Sequence, residues 1–268
     1  VRARDPYIPK LSSEPSEDSK EDRRVRRAQA EQFYREILVE LLDAKLPFLV
    51  GGGYAVNAHT GARIPTKDLD IFTTRAELQR LLDHLNRGGR RVSIVDDQWL
   101  GKIDYGEHFV DVIFGSSNGI VPVQEGWFHH AREAQVLGLS VLVIDPTELI
   151  WSKAFIQKRF RHDGSDIANI ILKQSSQIDW QRLMAYFDAH WEVLLSHLLI
   201  FRWVYPSERD AIPSWLLDEL LERLNRQREL PPTAARMCRG RLLSRSDYQN
   251  AVEVWGFLDA KGKCDDDQ

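Results

Sequence analysis

The sequence is 268 residues long, 43% hydrophobic and 28% charged, with a formal net charge of -4. That balance supports an apolar core in water and argues against a generalised coat for nucleic acid, although it leaves room for a local basic surface. No stretch reaches the roughly 20 apolar residues of a membrane span, the charged N terminus lacks the apolar run of a signal peptide, and Cys238 and Cys264 make neither a disulfide framework nor a metal motif; the expectation is a cytoplasmic protein with no membrane partner.

In chain order, residues 1–22 are rich in Pro, Ser and mixed charge and predict a flexible tail. Residues 23–44 carry Ala28, Phe33, Ile37, Val39, Leu41 and Leu42 at near-helical spacing and predict an amphipathic helix that ends before Pro47. A strand-like run over 46–50 passes through Gly51, Gly52 and Gly53 into the helix-compatible 54–59. A strand bearing Asp68 and Asp70 follows, then a helix over 75–86 closed by Gly88 and Gly89. Strands are predicted over 91–95, 99–104, 108–114 and 139–144, with a tight turn at 105–107 joining two of them as an antiparallel hairpin.

Asp145-Pro146-Thr147-Glu148 marks a switch to helix, with proline near the first turn and an acid favouring the helix N terminus. Helices are predicted over 147–160, 164–173, 179–190, 191–204 and 213–225, and one more over 246–257. The expected class is α+β: a mixed β-sheet flanked by helices over 23–145, a helical domain over 146–230, and a C-terminal segment with an acidic tail over 231–268. There is no internal repeat.

The chemistry is concentrated in FLVGGGYAVNAHTGARIPTKDLDIF. On a strand, Asp68 and Asp70 project from one face while Leu69 and Ile71 take the other. Asp111, in EHFVDVIFG, interrupts a run that otherwise reads as a buried strand, and an unpaired carboxylate there is costly. Three hard oxygen donors without Cys or His at ligand spacing point to Mg²⁺ or Mn²⁺ rather than zinc; capping acids at strand ends are the plainer alternative. Glycines at a strand-to-helix junction let backbone N–H groups approach a phosphate, or else permit a sharp, tightly packed turn. The spacing is neither that of a P-loop nor that of a dinucleotide fingerprint.

The order of the Gly51-Gly52-Gly53 run, a short helix, Arg63, Thr66, the Asp68-x-Asp70 pair and a later Asp111 resembles the polymerase-β superfamily of nucleotidyltransferases. Within it, the stretch is similar to the small prokaryotic branch of abortive-infection toxin-type transferases and, more distantly, to the lincosamide and aminoglycoside nucleotidyltransferases. The resemblance spans roughly residues 46–172.

It implies transfer of a nucleoside monophosphate from an NTP such as ATP to an acceptor hydroxyl or phosphate, with release of pyrophosphate. Asp68 and Asp70 would hold two metal ions and Asp111 one of them, with Asp111 also placed to take the acceptor's proton. Gly51, Gly52, Gly53, Arg63, Thr66 and Lys153 would bind the nucleotide, Thr66 by holding a metal-bound carboxylate. The acceptor is left open between a small hydroxylated molecule, RNA and protein; the toxin-type alternative brings an antitoxin-like partner, and a nucleotide-binding protein without turnover is the remaining alternative.

In WSKAFIQKRFRHDGSDIANIIL, Lys153, Lys158, Arg159 and Arg161 precede Asp163 and Asp166, similar to a Lys-then-Arg-x-Asp-x-x-Asp pattern in the toxin-type relatives, where the lysine faces the phosphates. Gly164 departs from that pattern. An ion pair from Lys153 to Asp166 is the structural alternative. Tyr54 and Asn57 read as core and surface of their helix, and His59 as a capping or packing group. Arg236, Arg239, Arg241 and Arg245 make a basic cluster that either receives a polyanion or forms a solvated face. Trp99 and Trp127 fall near the expected cleft, whereas the helical tryptophans read as core.

Overall fold

The computed structural model describes residues 20–158 and 160–260. Of the flexible tail expected over 1–22, residues 1–19 lie outside the described residues, as do Arg159, the side chain of Arg241, Cys264 and the acidic tail, whereas Lys20, Glu21 and Asp22 are already helical.

Helix α1 (Lys20–Asp43) buries Phe33, Tyr34, Ile37, Leu38 and Leu41, a stripe at helical spacing that faces the sheet. Then come β1 (Leu49–Val50), α2 (Gly52–Thr60), β2 (Leu69–Phe72) and α3 (Arg75–Arg87), whose Thr74 cap accepts a hydrogen bond from the Glu77 N–H. Strands β3 (Arg91–Asp96), β4 (Leu100–Tyr105) and β5 (His108–Ile113) form an antiparallel meander. The β4–β5 turn places Gly106 at φ 61, the left-handed first position that a two-residue hairpin requires.

A short helix α4 (Gly126–His130) precedes the hairpin of β6 (Arg132–Val136) and β7 (Leu139–Val143). The sheet has seven strands in the order β3-β4-β5-β2-β1-β7-β6. Strand β2 runs parallel to β5, and β1 parallel to β7, while the remaining pairs are antiparallel. All four residues of β2 are buried, as the centre of a sheet covered on both faces requires.

Beyond the sheet the chain runs through α5 (Pro146–Lys153), the two-residue strands β8 (Gln157–Lys158) and β9 (Arg161–His162), α6 (Gly164–Gln174), α7 (Trp180–Tyr186), α8 (Trp191–Val204) and α9 (Ser214–Glu229). It ends in β10 (Met237–Cys238), α10 (Arg245–Glu253) and β11 (Leu258–Asp259). One apolar cluster runs from α1 through the sheet to α9. No helix among the described residues is long and apolar enough to cross a membrane.

The architecture is the expected α+β one, with local departures: the strand expected over 46–50 is only Leu49–Val50, the helix expected over 179–190 ends at Tyr186, and β10 and β11 were not expected. The helix expected over 147–160 stops at Lys153 and the chain reverses through β8 and β9. Lys153 pairs with Asp163 and Asp166, whereas ten further residues of continuous helix would carry Asp163 about 15 Å away. Strand β6 and helix α4 were not expected, because the β6–β7 turn places Leu137 at φ 51 beside Gly138 at φ 74, and leucine carries no turn signal. Helix α10 ends at Glu253, short of the expected 257, and Gly256 follows at φ 72.

A buried charge network ties the sheet to the later helices. Arg182 on α7 reaches Glu148 Oε1 at 2.8 Å and Asp145 Oδ1 at 3.1 Å; Arg132 on β6 reaches Asp145 Oδ2 at 2.9 Å, and the Tyr186 hydroxyl donates to Glu148 Oε1 at 2.9 Å. Glu148 is completely buried, so its charge depends on these partners. Arg182→Met is expected to cost about 3–5 kcal/mol by leaving two buried carboxylates short of a partner. Denaturant unfolding checks this: a loss below about 1 kcal/mol would rank the network with exposed ion pairs.

Candidate active site

Strands β2 and β5 bring the acids together. Asp70 and Asp111 are direct partners in the parallel pairing, and Asp68 sits in the bend one step before β2, on the same side as Asp70. The Tyr34 hydroxyl of α1 donates to the Lys67 carbonyl at 2.9 Å and fixes that bend. Leu69 and Ile71 point into the core, fully buried. One oxygen from each of Asp68, Asp70 and Asp111 lies within 4.8 Å of the others.

Such crowding is unfavourable for bare carboxylates. Burial, then the charges of Asp68 and Asp111, push the Asp70 carboxyl up to about 7. Burial likewise raises Asp111, against the pull of Lys102. The Lys102 ammonium, on the facing residue of β4, forms an ion pair with Asp111 Oδ1 at 3.3 Å, and this buried oxygen accepts no well-aligned hydrogen bond. Hard donors, convergent geometry and an orphaned buried oxygen together fit a divalent cation of the Mg²⁺ class.

The glycines are fitted to this site. Gly52 opens α2 at φ 52, and a Cβ there would overlap Asp70 Oδ2. Only glycine therefore lets the carboxylate lie against the backbone. A Cβ on Gly51 would strike Phe72, and one on Gly53 would strike Thr66. The α2 N terminus has no side-chain cap, and its positive dipole end lies against the Asp70 carboxylate.

Two cavities meet at the acids, and Asp70, Lys153, Arg161 and Asp163 line both. One, of about 340 Å³, extends past Gly53, Thr66, Lys67 and Asp68. The other, of about 150 Å³, extends past Asp111, Trp99 and the Ser116–Asn118 loop toward Phe155.

Lys153 is only 6% exposed, with its ammonium 2.9 Å from Asp163 Oδ2 and 2.8 Å from Asp166 Oδ2. Arg161 stands at the mouth of the cleft, where burial lowers its guanidinium and the charges of Asp163, Asp70 and Asp68 more than restore it. Arg63 is exposed in the loop before Thr66 and lines neither cavity. Thr66 turns its methyl to Gly53 and its hydroxyl to the Tyr54 phenol, which burial raises and this hydrogen bond lowers.

His59 packs, with Nε2 2.7 Å from the Ile144 carbonyl oxygen, and Asn57 braces Ile64 through both its amide groups. Trp127 is core, stacked on Phe72, whereas Trp99 lines the cleft. Arg245 pairs with Asp259 at 3.1 Å and Arg236 lies over the Phe257 ring, both within the C-terminal segment.

Lys102 was absent from the sequence reading. Its signal was the hairpin register: the Gly106-Glu107 turn pairs Tyr105 with His108 and hence Lys102 with Asp111. The Ser116–Asn118 loop gave no signal beyond turn-forming composition.

No protein-family model matches the chain, and no curated protein matches it significantly. Among solved structures, the antibiotic-resistance factor ANT(2'')-Ia is similar at 18% identity and a TM-score of 0.45, over 63% of this chain and 97% of that one. The lincomycin-bound lincosamide antibiotic adenylyltransferase LnuA aligns at 18% identity and a TM-score of 0.38, over 52% of this chain and 94% of its own. JHP933 from Helicobacter pylori aligns at 12% identity and a TM-score of 0.42, over 76% of this chain and 95% of its own.

The raised Asp70 carboxyl makes stability depend on pH. An unfolded aspartate loses its proton near pH 4, while the folded one holds it to about 7. Across that window the native state binds more protons, so stability falls as pH rises from about 4 to 7 and this contribution is flat above. Asp70→Asn should remove that fall and be more stable than wild type at pH 8 without divalent cations. Unfolding curves taken across the window check this, and parallel profiles for the two proteins would contradict it.

Proposed function

We propose that this chain is a divalent-metal-dependent nucleotidyltransferase, moving a nucleoside monophosphate from an NTP to an acceptor hydroxyl or phosphate with release of pyrophosphate. The observation that carries the reading is the convergence of Asp68, Asp70 and Asp111, with an orphaned buried oxygen, beside a glycine-opened helix. Asp68, Asp70 and Asp111 would hold Mg²⁺ or Mn²⁺, which when bound neutralises triphosphate charge and favours in-line displacement.

The rest follows from the chain's own groups. The uncapped first turn of α2 and the Arg161 guanidinium flank the larger cavity and receive the phosphates. The acceptor oxygen bonds to the α-phosphorus as the bond to the oxygen bridging to the β-phosphate breaks, and that electron pair leaves on pyrophosphate. The hydroxyl proton passes to the Asp111 carboxylate, whose Oδ1 is not engaged by a hydrogen bond. Lys153 lines both cavities, but Asp163 and Asp166 already balance its charge. In this reading it holds the β8–β9 turn under Arg161, and Arg161 takes the direct phosphate contact.

Asp70→Asn keeps the shape and removes the charge, so pyrophosphate release from NTP with Mg²⁺ should fall by about a thousandfold or more in a folded protein. Near-normal turnover would remove Asp70 from the chemistry.

Arg161→Ala and Lys153→Met separate the two cations. The first should raise the NTP KM about tenfold with little change in melting temperature. The second should lose about 3 kcal/mol of stability by leaving Asp166 without Lys153 and Asp163 with only its longer contact to Arg161. The opposite pattern, a stable Lys153→Met protein with a raised KM, would return the phosphate contact to Lys153.

A further inference from the structure

A third cavity, of about 540 Å³, lies between the start of α8 and the C-terminal segment, outside the acid cleft. Ile120, Phe155, Val193 and Leu242 give it an apolar floor, and Glu192, Ser196 and Arg239 stand among its polar groups. Three elements border this cavity and the acid cleft at once. Phe155 lines both. Gln157 lines the third cavity while its neighbour Lys158 lines the cleft, and Ile120 and Asn118 divide in the same way. The shared wall is held in place: Phe155 stacks on Phe187 with ring centroids 5.7 Å apart and meets Trp151 edge-on at 5.0 Å.

We infer that this cavity seats the acceptor, and that the acceptor is a small molecule with an apolar body and a hydroxyl-bearing end that reaches past Phe155 to the acids. The inference rests on the nucleotidyltransferase reading and names its substrate class. Volume supports it, since small-molecule sites span about 300–1,000 Å³ and are mainly apolar with a few polar groups. Charge decides against RNA: a polynucleotide needs several cations on its phosphates, and here Arg239 shares the lining with the carboxylate of Glu192. Shape decides against a polypeptide, which would need about 800 Å² of surface per partner, more than a concave pocket lined by eleven residues presents. The acceptor would then come to the acids along the cavity that Asp111 and Phe155 line, while the phosphates take the one that Gly53 and Thr66 line, so the two substrates reach the acids by different cavities.

The test uses the full chain with Mg²⁺, NTPs labelled at the α-phosphate, and cell extract divided into RNA, polypeptide and a fraction below about 1 kDa. Two variants fill the pocket: Val193→Trp from its floor and Ala189→Leu from its exposed edge, the latter adding bulk without touching the core. Binding of 8-anilinonaphthalene-1-sulfonate reports the pocket independently of turnover.

Label should enter the small-molecule fraction, and both variants should lower that transfer and dye affinity about tenfold while NTP affinity by calorimetry stays unchanged. If Val193→Trp does not fold, Ala189→Leu decides. Label on RNA or polypeptide, no label in any fraction from a chain that binds NTP, or undiminished transfer and dye binding in a folded variant overturns the acceptor site and leaves the nucleotide chemistry standing. A wild-type chain that binds no NTP fails the nucleotidyltransferase reading itself, and the acceptor assignment falls with it even where the variants weaken dye binding.

Discussion

Mutual repulsion among three carboxylates is the constraint around which this molecule is organised. Asp68, Asp70 and Asp111 converge at the edge of the core, where like charges are least screened. Nothing in folding favours such a cluster by itself, since burial and repulsion both act against it. Its neighbours are nevertheless shaped to keep it. Gly52 accepts a left-handed backbone so that the Asp70 carboxylate can lie against it, and Tyr34 pins the bend that carries Asp68. Lys102 offsets part of the Asp111 charge through an ion pair at 3.3 Å, and Oδ1 accepts no well-aligned hydrogen bond. A fold that spends conformational freedom on an unfavourable charge cluster is consistent with a site whose remaining partner is a cation.

The two ionic assemblies beyond the acids differ in kind. The network of Arg132, Asp145, Glu148, Arg182 and Tyr186 is satisfied within itself and joins β6, α5 and α7. The pairing of Lys153 with Asp163 and Asp166 is satisfied as well, but it reverses the chain so that Arg161 arrives at the mouth of the acid cleft. The turn that ends α5 supplies a wall of the acid cleft and, through Phe155 and Gln157, a wall of the neighbouring apolar cavity.

The acids were legible in the sequence because charge in an apolar strand is costly and therefore informative, and because the one-residue spacing of Asp68 and Asp70 sets their common face. The mixed sheet was legible from alternating runs broken by glycine. The β8–β9 turn was hidden because Ile156 and Phe160 stand four residues apart, a spacing that a helix also allows, while in the structure Phe160 is 95% exposed. Strand β6 was hidden because Leu137 occupies a left-handed turn position that sequence rules reserve for Gly, Asn or Asp. Lys102 followed from the hairpin register, whereas the place of Arg161 needed a chain reversal, which is a tertiary fact. Arg63, by contrast, was prominent in the motif and stands away from the cavities.

The central claim is that the three carboxylates form a cation site, and metal-linked stability tests it most directly. A cation bound only by the native state raises the unfolding free energy with its concentration. Melting of the wild-type chain should therefore rise progressively with Mn²⁺, while Asp70→Asn and Asp111→Asn, which relieve the repulsion without providing a site, should start higher and respond little. A wild-type melting temperature indifferent to Mn²⁺, or an equal rise in both variants, would contradict the account.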